Sequence, residues 1–427
     1  MLPSPPATAP VDERHYVPEP PPRQRKPLTQ RGLATVLAGL SMLGPFCIDA
    51  YLPAFPAIQR SLGASAIEVQ QTLTAYMLAF AVMVLWHGAL SDAFGRRNVI
   101  LAALVVFTVG TFGCASAHSV HYLWVFRIMQ GISAGAGMVV GRAIIRDLYE
   151  GATAARLMSM VTMIFSIAPA IAPILGGWIV KLSDWRTIFL CLVGYTCVLG
   201  FVCWKHLPET LPPDKRQPFN PRFIAGAYKQ VLRSPLFHMK SGIVALNFAG
   251  LFLFIAAAPE MLPSQLHLGP DQFGWLFIPT VSGIFTGALI SNRLAGRMSQ
   301  DHQIELGFAF LIGAAGINTL YHVFLPPALP WSVLPLFFYT LGMSIVAPVA
   351  TLMALDLFPH IRGTVASCQS SVVTLLSALV AGVIAPALAE SVLWLTIGQL
   401  LFTCGALALW LTSARYRRII SDSQRVA

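Results

Sequence analysis

The sequence predicts an all-α membrane protein with twelve transmembrane helices in two six-helix bundles. Three observations predict it: composition, a regular succession of apolar runs, and the side on which the basic residues fall. Of the 427 residues, 56% are hydrophobic and only 11% charged. A soluble domain carries about 25% charge to cover its surface. The missing charge means that the outer surface faces lipid.

Twelve apolar runs follow one another, over 33–55, 69–90, 99–117, 122–145, 157–182, 187–204, 239–258, 273–294, 304–325, 332–355, 365–388 and 391–411. Each is close to the ~20 residues that a helix rising ~1.5 Å per residue needs to cross a ~30 Å hydrocarbon core. Period-two alternation is absent and the runs are much longer than barrel strands, which leaves helices as the spanning form.

Twelve crossings bring both termini to one side. With that side cytoplasmic, all but four of the 28 Lys and Arg residues fall in cytoplasmic tails, loops or helix ends; the exceptions are Arg60, Arg127, Lys181 and Arg186. The positive-inside rule therefore puts both termini in the cytoplasm. Juxtamembrane residues facing anionic lipid account for the net charge of +10 without a nucleic-acid partner.

The Pro-rich, polar residues 1–31 read as a disordered cytoplasmic tail, neither a signal peptide nor a domain. Residues 32–205 form the N-terminal six-helix bundle and 237–413 the C-terminal one, with 414–427 as a second cytoplasmic tail. Between the bundles, the cytoplasmic loop 206–236 carries Pro208, Pro212, Pro213, Pro218, Pro221 and Pro235. It admits one short amphipathic helix near 223–232.

Several chemistries find no support. The seven cysteines lie within or beside apolar runs, without CxxC or Cys/His spacing, and read as small buried hydrophobes rather than metal ligands. No GxxxxGK[ST] loop suggests ATP, and no Ser/His/Asp set suggests hydrolysis. An enzyme is not expected, nor a cofactor; a proton gradient is the expected energy source.

Charges at membrane depth are the informative residues, because each costs roughly 2.5–3.5 kcal/mol on insertion scales. Asp49 lies about six residues, or roughly 9 Å, inside the outer end of the first run, and Arg127 about as deep in the fourth. If these helices are neighbours, the two side chains share a layer. They are then either proton-coupling groups or a structural pair. The other acids, among them Asp92, Asp147, Glu260, Glu305, Asp356 and Glu390, lie near boundaries or in loops.

Certain segments carry a family resemblance. Gly88-Ala-Leu-Ser-Asp92-Ala-Phe-Gly95-Arg96-Arg97, between the second and third helices, resembles the cytoplasmic loop motif of the major facilitator superfamily. Arg127-Ile-Met-Gln130-Gly131-Ile-Ser-Ala-Gly135 resembles the fourth-helix motif of its drug–proton antiporters. Ala168-Pro169-Ala-Ile-Ala172-Pro173-Ile-Leu-Gly176-Gly177 resembles their fifth-helix motif, with Ala168 and Ala172 where the generic pattern has Gly. That departure, Asp49-Ala-Tyr51-Leu-Pro53-Ala-Phe-Pro56 and Arg142-Ala-Ile-Ile-Arg146-Asp147 resemble the bicyclomycin/chloramphenicol-resistance subfamily. The diagnostic segments all lie in the N-terminal half.

The resemblance implies a proton-coupled antiporter in a bacterial inner membrane, working as a monomer by alternating access. It would export small amphipathic drug-like molecules in exchange for protons. Asp49 would be the coupling carboxylate, with Arg127 beside it. Gly88, Asp92, Gly95, Arg96 and Arg97, joined by Asp147 and Arg362, would clamp the halves on the cytoplasmic side. Pro169, Pro173, Gly176 and Gly177 would bend the fifth helix and let it pack closely. Phe46, Tyr51, Tyr76, Met138, Asn247, Phe248, Phe252 and Tyr339 would line the substrate cavity. An exporter of one endogenous metabolite or siderophore is the alternative, and a nutrient symporter a more distant one.

Overall fold

The structure, a computed structural model, describes residues 29–426. All of the expected N-terminal tail except residues 29–31 therefore lies outside the described residues. Within them there are helices and no strands, and twelve helices are long and apolar enough to cross a membrane. The first six spans are Gln30–Leu62, Ala66–Phe94, Arg96–Ala115, Val120–Leu148, Arg156–Leu182 and Arg186–His206. The seventh to twelfth are Pro235–Gln265, Pro270–Leu294, Gln300–Phe324, Leu334–Asp356, Pro359–Leu388 and Val392–Ser413. Loops after even spans lie at the end of the molecule that carries both termini (the terminal end), and those after odd spans at the far end.

Loop residues start the helices. Thr29, Ser119, Ser234 and Ser299 each accept from a backbone N–H of the first turn of the first, fourth, seventh and ninth spans. Ser65 and Glu68 form a reciprocal capping box on the second, with Ser65 N–H donating to Glu68 at 2.8 Å. Such caps satisfy donors that the helix leaves without partners.

Four spans are interrupted where the sequence removes a donor or loosens the backbone. In the first, regular helix ends at Asp49, a 3₁₀ turn follows over Leu52–Ala54, and a second helix runs Phe55–Leu62. Pro53 and Pro56 cannot donate there. The apolar run that reads as one helix to Phe55 is thus a broken one. The fourth span is interrupted at Gly135, and the fifth between Phe165 and Ala168, just before Pro169. The eleventh contains a π turn, Val380–Ile384.

Packing repeats between the halves. The second and third spans pack on the fourth, the third on the sixth and the first on the fifth. Their counterparts six spans later do the same: eighth and ninth on tenth, ninth on twelfth, seventh on eleventh. The halves meet where the second span packs on the eleventh and the fifth on the eighth. Large apolar side chains stand exposed on the third, sixth, ninth and twelfth spans, among them Val105, Phe112, Val198, Phe201, Ile317, Leu320 and Leu401. These are faces for lipid rather than water.

The connector holds one helix of note, Pro221–Leu232, which packs on the eleventh span. Its Tyr228 hydroxyl donates to the Leu85 carbonyl on the second span. Burial raises this phenol well above the ordinary tyrosine range, so it remains a donor. At the C-terminus, the helix of the twelfth span continues to Val426.

Candidate functional site

The break in the first span builds the site around Arg127. Where the helix ends, Tyr51 N–H bonds to the Ile48 carbonyl instead of reaching back to Cys47. The orphaned Cys47 carbonyl accepts from Arg127 Nη1 at 3.0 Å. The same nitrogen lies 2.9 Å from Cys47 Sγ and 3.0 Å from Gln130 Oε1. A guanidinium thus caps a helix C-terminus, where positive charge is favoured.

Two tyrosines complete the enclosure. The guanidinium carbon lies 4.5 Å from the centroid of the Tyr51 ring and 4.5 Å from that of Tyr76. A desolvated cation on an aromatic face gains about 2 kcal/mol, which helps to offset a burial cost of several kcal/mol for the ion. Tyr51 is anchored by its hydroxyl, 2.7 Å from Thr72 Oγ1. Gln130 is held by donating to Thr111 Oγ1 at 2.9 Å. Arg127 is fully buried, with Nε and Nη2 unpartnered.

Asp49 lies two residues beyond Cys47, in the layer that the sequence predicts, but forms no ion pair with Arg127. Its carboxylate makes no hydrogen bond or ion pair with any described residue, and the residue is 7% exposed.

At the terminal end, Asp92, Arg96 and Asp147 come together. Arg96 Nη1 pairs with Asp92, and its Nε donates to Asp147 Oδ2 at 3.1 Å. The connector joins them: Glu209 Oε1 accepts from Arg96 N–H at 2.8 Å, and Thr210 Oγ1 donates to Asp147 at 2.7 Å. Gly95 has φ +95°, a backbone conformation that a side chain would strain, and lies against the ends of the Glu209 and Arg216 side chains. Arg97 donates to the Trp204 carbonyl at 2.7 Å. Gly88 has only the Val139 side chain near its missing Cβ, at 3.9 Å. Arg362 does not join the cluster; it pairs with Asp356 of its own half at 2.9 Å. Glu209, Thr210 and Arg216 are absent from the sequence-predicted set. A Pro-rich loop gives no sign of where it folds back.

At the far end, polar and close contacts hold the halves together. Pro386 has no N–H for the Gly382 carbonyl four residues earlier, and Gln71 donates to that carbonyl at 2.8 Å. Gln70 donates to the carbonyls of Ala381 at 3.0 Å and Ala256 at 3.2 Å. Lys181 pairs with Asp271 at 2.7 Å. On the fifth span, Gly176 packs against the backbone of Ala50 and Gly177 against Pro270. Pro169 and Pro173 stand in the first two turns after that span's break. The Leu52–Ala54 turn is buried between the fifth and seventh spans.

Phe46 and Met138, two of the eight expected cavity residues, line different cavities. Phe46 lines an apolar cavity of about 220 Å³ among the first, fifth and sixth spans. Met138 lines another of about 130 Å³ among the first, fourth and fifth. Tyr51 and Tyr76 hold Arg127. In the C-terminal half, Tyr339 Oη donates to the Asn247 carbonyl at 3.0 Å. The Asn247 side-chain amide is buried and unpartnered. Phe248 and Phe252 stack with ring centroids 5.9 Å apart.

Residues 35–381 match the sequence model of the Major Facilitator Superfamily. A bicyclomycin resistance protein homolog of Haemophilus influenzae is 29% identical over 371 residues, covering 86% of this chain and 91% of the relative. A chloramphenicol resistance protein of Pseudomonas aeruginosa is 25% identical over 335 residues, 77% of this chain and 78% of the relative. Among solved structures, the human organic anion transporter MFSD10 (TETRAN) superposes with a TM-score of 0.66 at 20% identity. That match covers 90% of this chain and 99% of the other. Twelve spans in two repeated bundles, the Asp92–Arg96–Asp147 cluster and these matches lead to one conclusion: the chain belongs to the major facilitator superfamily, in the bicyclomycin/chloramphenicol-resistance branch of its multi-pass membrane transporters.

Proposed function

We propose that this chain is a proton-driven antiporter of a bacterial inner membrane, with both termini cytoplasmic, exporting amphipathic drug-like molecules by alternating access as a monomer. The observation that carries the proposal is Asp49, a carboxylate in a membrane span with no bound partner. Such a group takes up and releases a proton without breaking any contact. A proton entering down ~100 mV supplies about 2.3 kcal/mol before any pH gradient is counted. The names of the two bacterial relatives support drug export.

With the termini in the cytoplasm, the far-end contacts close the outer side. Arg362, paired within its own half, leaves the predicted cytoplasmic clamp unmade. Both features support an inward-facing reading of this conformation. Rocking to the outward-facing state would break the Gln70, Gln71 and Lys181 contacts and bring Arg362 to the Asp92–Arg96–Asp147 cluster.

The test is resistance profiling in an efflux-deficient bacterium, with pH-gradient-driven efflux measured in vesicles for wild type and Asp49→Asn. Wild type should confer resistance to several unrelated amphipathic compounds, and Asp49→Asn should lose gradient-driven efflux. Full retained coupling in the variant rejects Asp49. Resistance confined to one compound would favour the specific-metabolite exporter.

A further inference from the structure

The fourth span carries two cations that the coupling site does not use. Arg142 and Arg146, one turn apart, make no hydrogen bond or ion pair with any described residue. Asp147, the acid of the same segment, is committed to Arg96 and Thr210. Arg142 lies six residues, roughly 9 Å, inside the terminal end of its helix and is exposed, so its charge is open to water or to a ligand in the cavity it lines.

Arg142 lines the cavity of about 130 Å³ among the first, fourth and fifth spans, with Ser41, Met138, Met158, Thr162 and Phe165. Both hydroxyls there are spent as donors on their own helices: Ser41 to the Leu37 carbonyl at 2.9 Å and Thr162 to the Met158 carbonyl at 2.9 Å. The free hydrogen-bond donors are therefore those of the guanidinium, and no acid among the lining residues neutralises it. Two methionines and a phenylalanine supply an adaptable apolar wall. Ser41 is eight residues before Asp49, about 12 Å along the helix, so a ligand here lies on the terminal side of the coupling carboxylate.

We infer that Arg142 receives the anionic group of an amphipathic substrate, so that this exporter favours acidic amphiphiles over cationic ones. The inference rests on the exporter reading and names its substrate class. A planar fork of N–H donors matches a carboxylate or sulfonate bidentately, and Arg146 extends the positive potential toward the mouth. No acid lines this cavity to receive a cation, and the guanidinium repels one.

The test measures equilibrium binding to the full chain in phosphatidylcholine nanodiscs at fixed pH, with three probes: nalidixate (anionic), chloramphenicol (neutral) and ethidium (cationic). Wild type should bind nalidixate more tightly than ethidium. Arg142→Gln should weaken nalidixate roughly ten- to a hundredfold, the range of a charge-assisted hydrogen bond, and shift the preference toward ethidium. Arg142→Lys should recover part of the loss, which separates charge from a folding defect. Equal weakening of all three probes, no change, or a wild-type preference for ethidium overturns the inference. A second arm adds phosphatidylglycerol. Displacement of nalidixate from wild type would assign the site to a lipid headgroup and overturn it as well. If wild type moves none of the probes in energised vesicles, the exporter reading itself fails. If it moves them and Arg142→Gln keeps the wild-type order of preference, only this inference fails.

Discussion

Arg127 and Asp49 share a layer of the membrane without pairing, and the reason is the carbonyl of Cys47. A guanidinium placed on an orphaned helix-end carbonyl and between two aromatic faces gains several favourable contacts at once. A carboxylate gains none of them. Arg127→Lys keeps the charge but loses the planar face, and should cost about 1–2 kcal/mol, read as a lower melting temperature in detergent. Arg127→Ala should cost more, roughly 3–5 kcal/mol, because it strands the Cys47 carbonyl and empties the space between Tyr51 and Tyr76. Both charges were legible as candidates, since a charge in an apolar run needs an explanation. Their separation was not, because backbone carbonyls have no letter in a sequence. Gln130, three residues from Arg127 on the same helix face, was within reach of helical periodicity.

At the scale of elements, interrupted helices set the contacts. Gly176 and Gly177 stand side by side on the fifth span but act differently. A Cβ on Gly176 would meet the Ala50 backbone within the N-terminal half, and one on Gly177 would meet the Pro270 carbonyl across the halves. Gly176→Ala should destabilise the N-terminal bundle by about 1–3 kcal/mol, seen as a lower melting temperature. Gly177→Ala should leave that bundle intact and part the far end, seen as faster hydrogen–deuterium exchange over 267–274. The close packing of this motif was legible from its small residues. Which glycine faces which half was not, because a run of small residues presents several equivalent faces.

For the whole molecule, hydrogen bonds between the halves act at the far end beside the Lys181–Asp271 pair and the Gly177 contact with Pro270. Gln70→Leu with Gln71→Leu removes three donor contacts to the opposite half. At about 1 kcal/mol each, the far-end-closed population should fall by well over tenfold relative to its alternative. Distances between spin labels on the second and eleventh spans would report it. At the opposite end, Glu209→Ala should free the connector from Arg96 and raise exchange over 207–217 with little effect on the far end.

The sequence by itself determined the number of spans, their division into two bundles and the two deep charges. Each follows from the cost of exposing polar groups to lipid, a one-dimensional constraint that composition along the chain records directly. Only the tertiary structure decided that Arg127 caps a broken helix, that Arg362 stays with its own half, that the connector folds onto Arg96, and that Arg142 faces a cavity with no counter-charge. Those outcomes depend on which backbone groups lose their helical partners and which elements then lie within about 3 Å of them. That geometry exists only once the spans have packed.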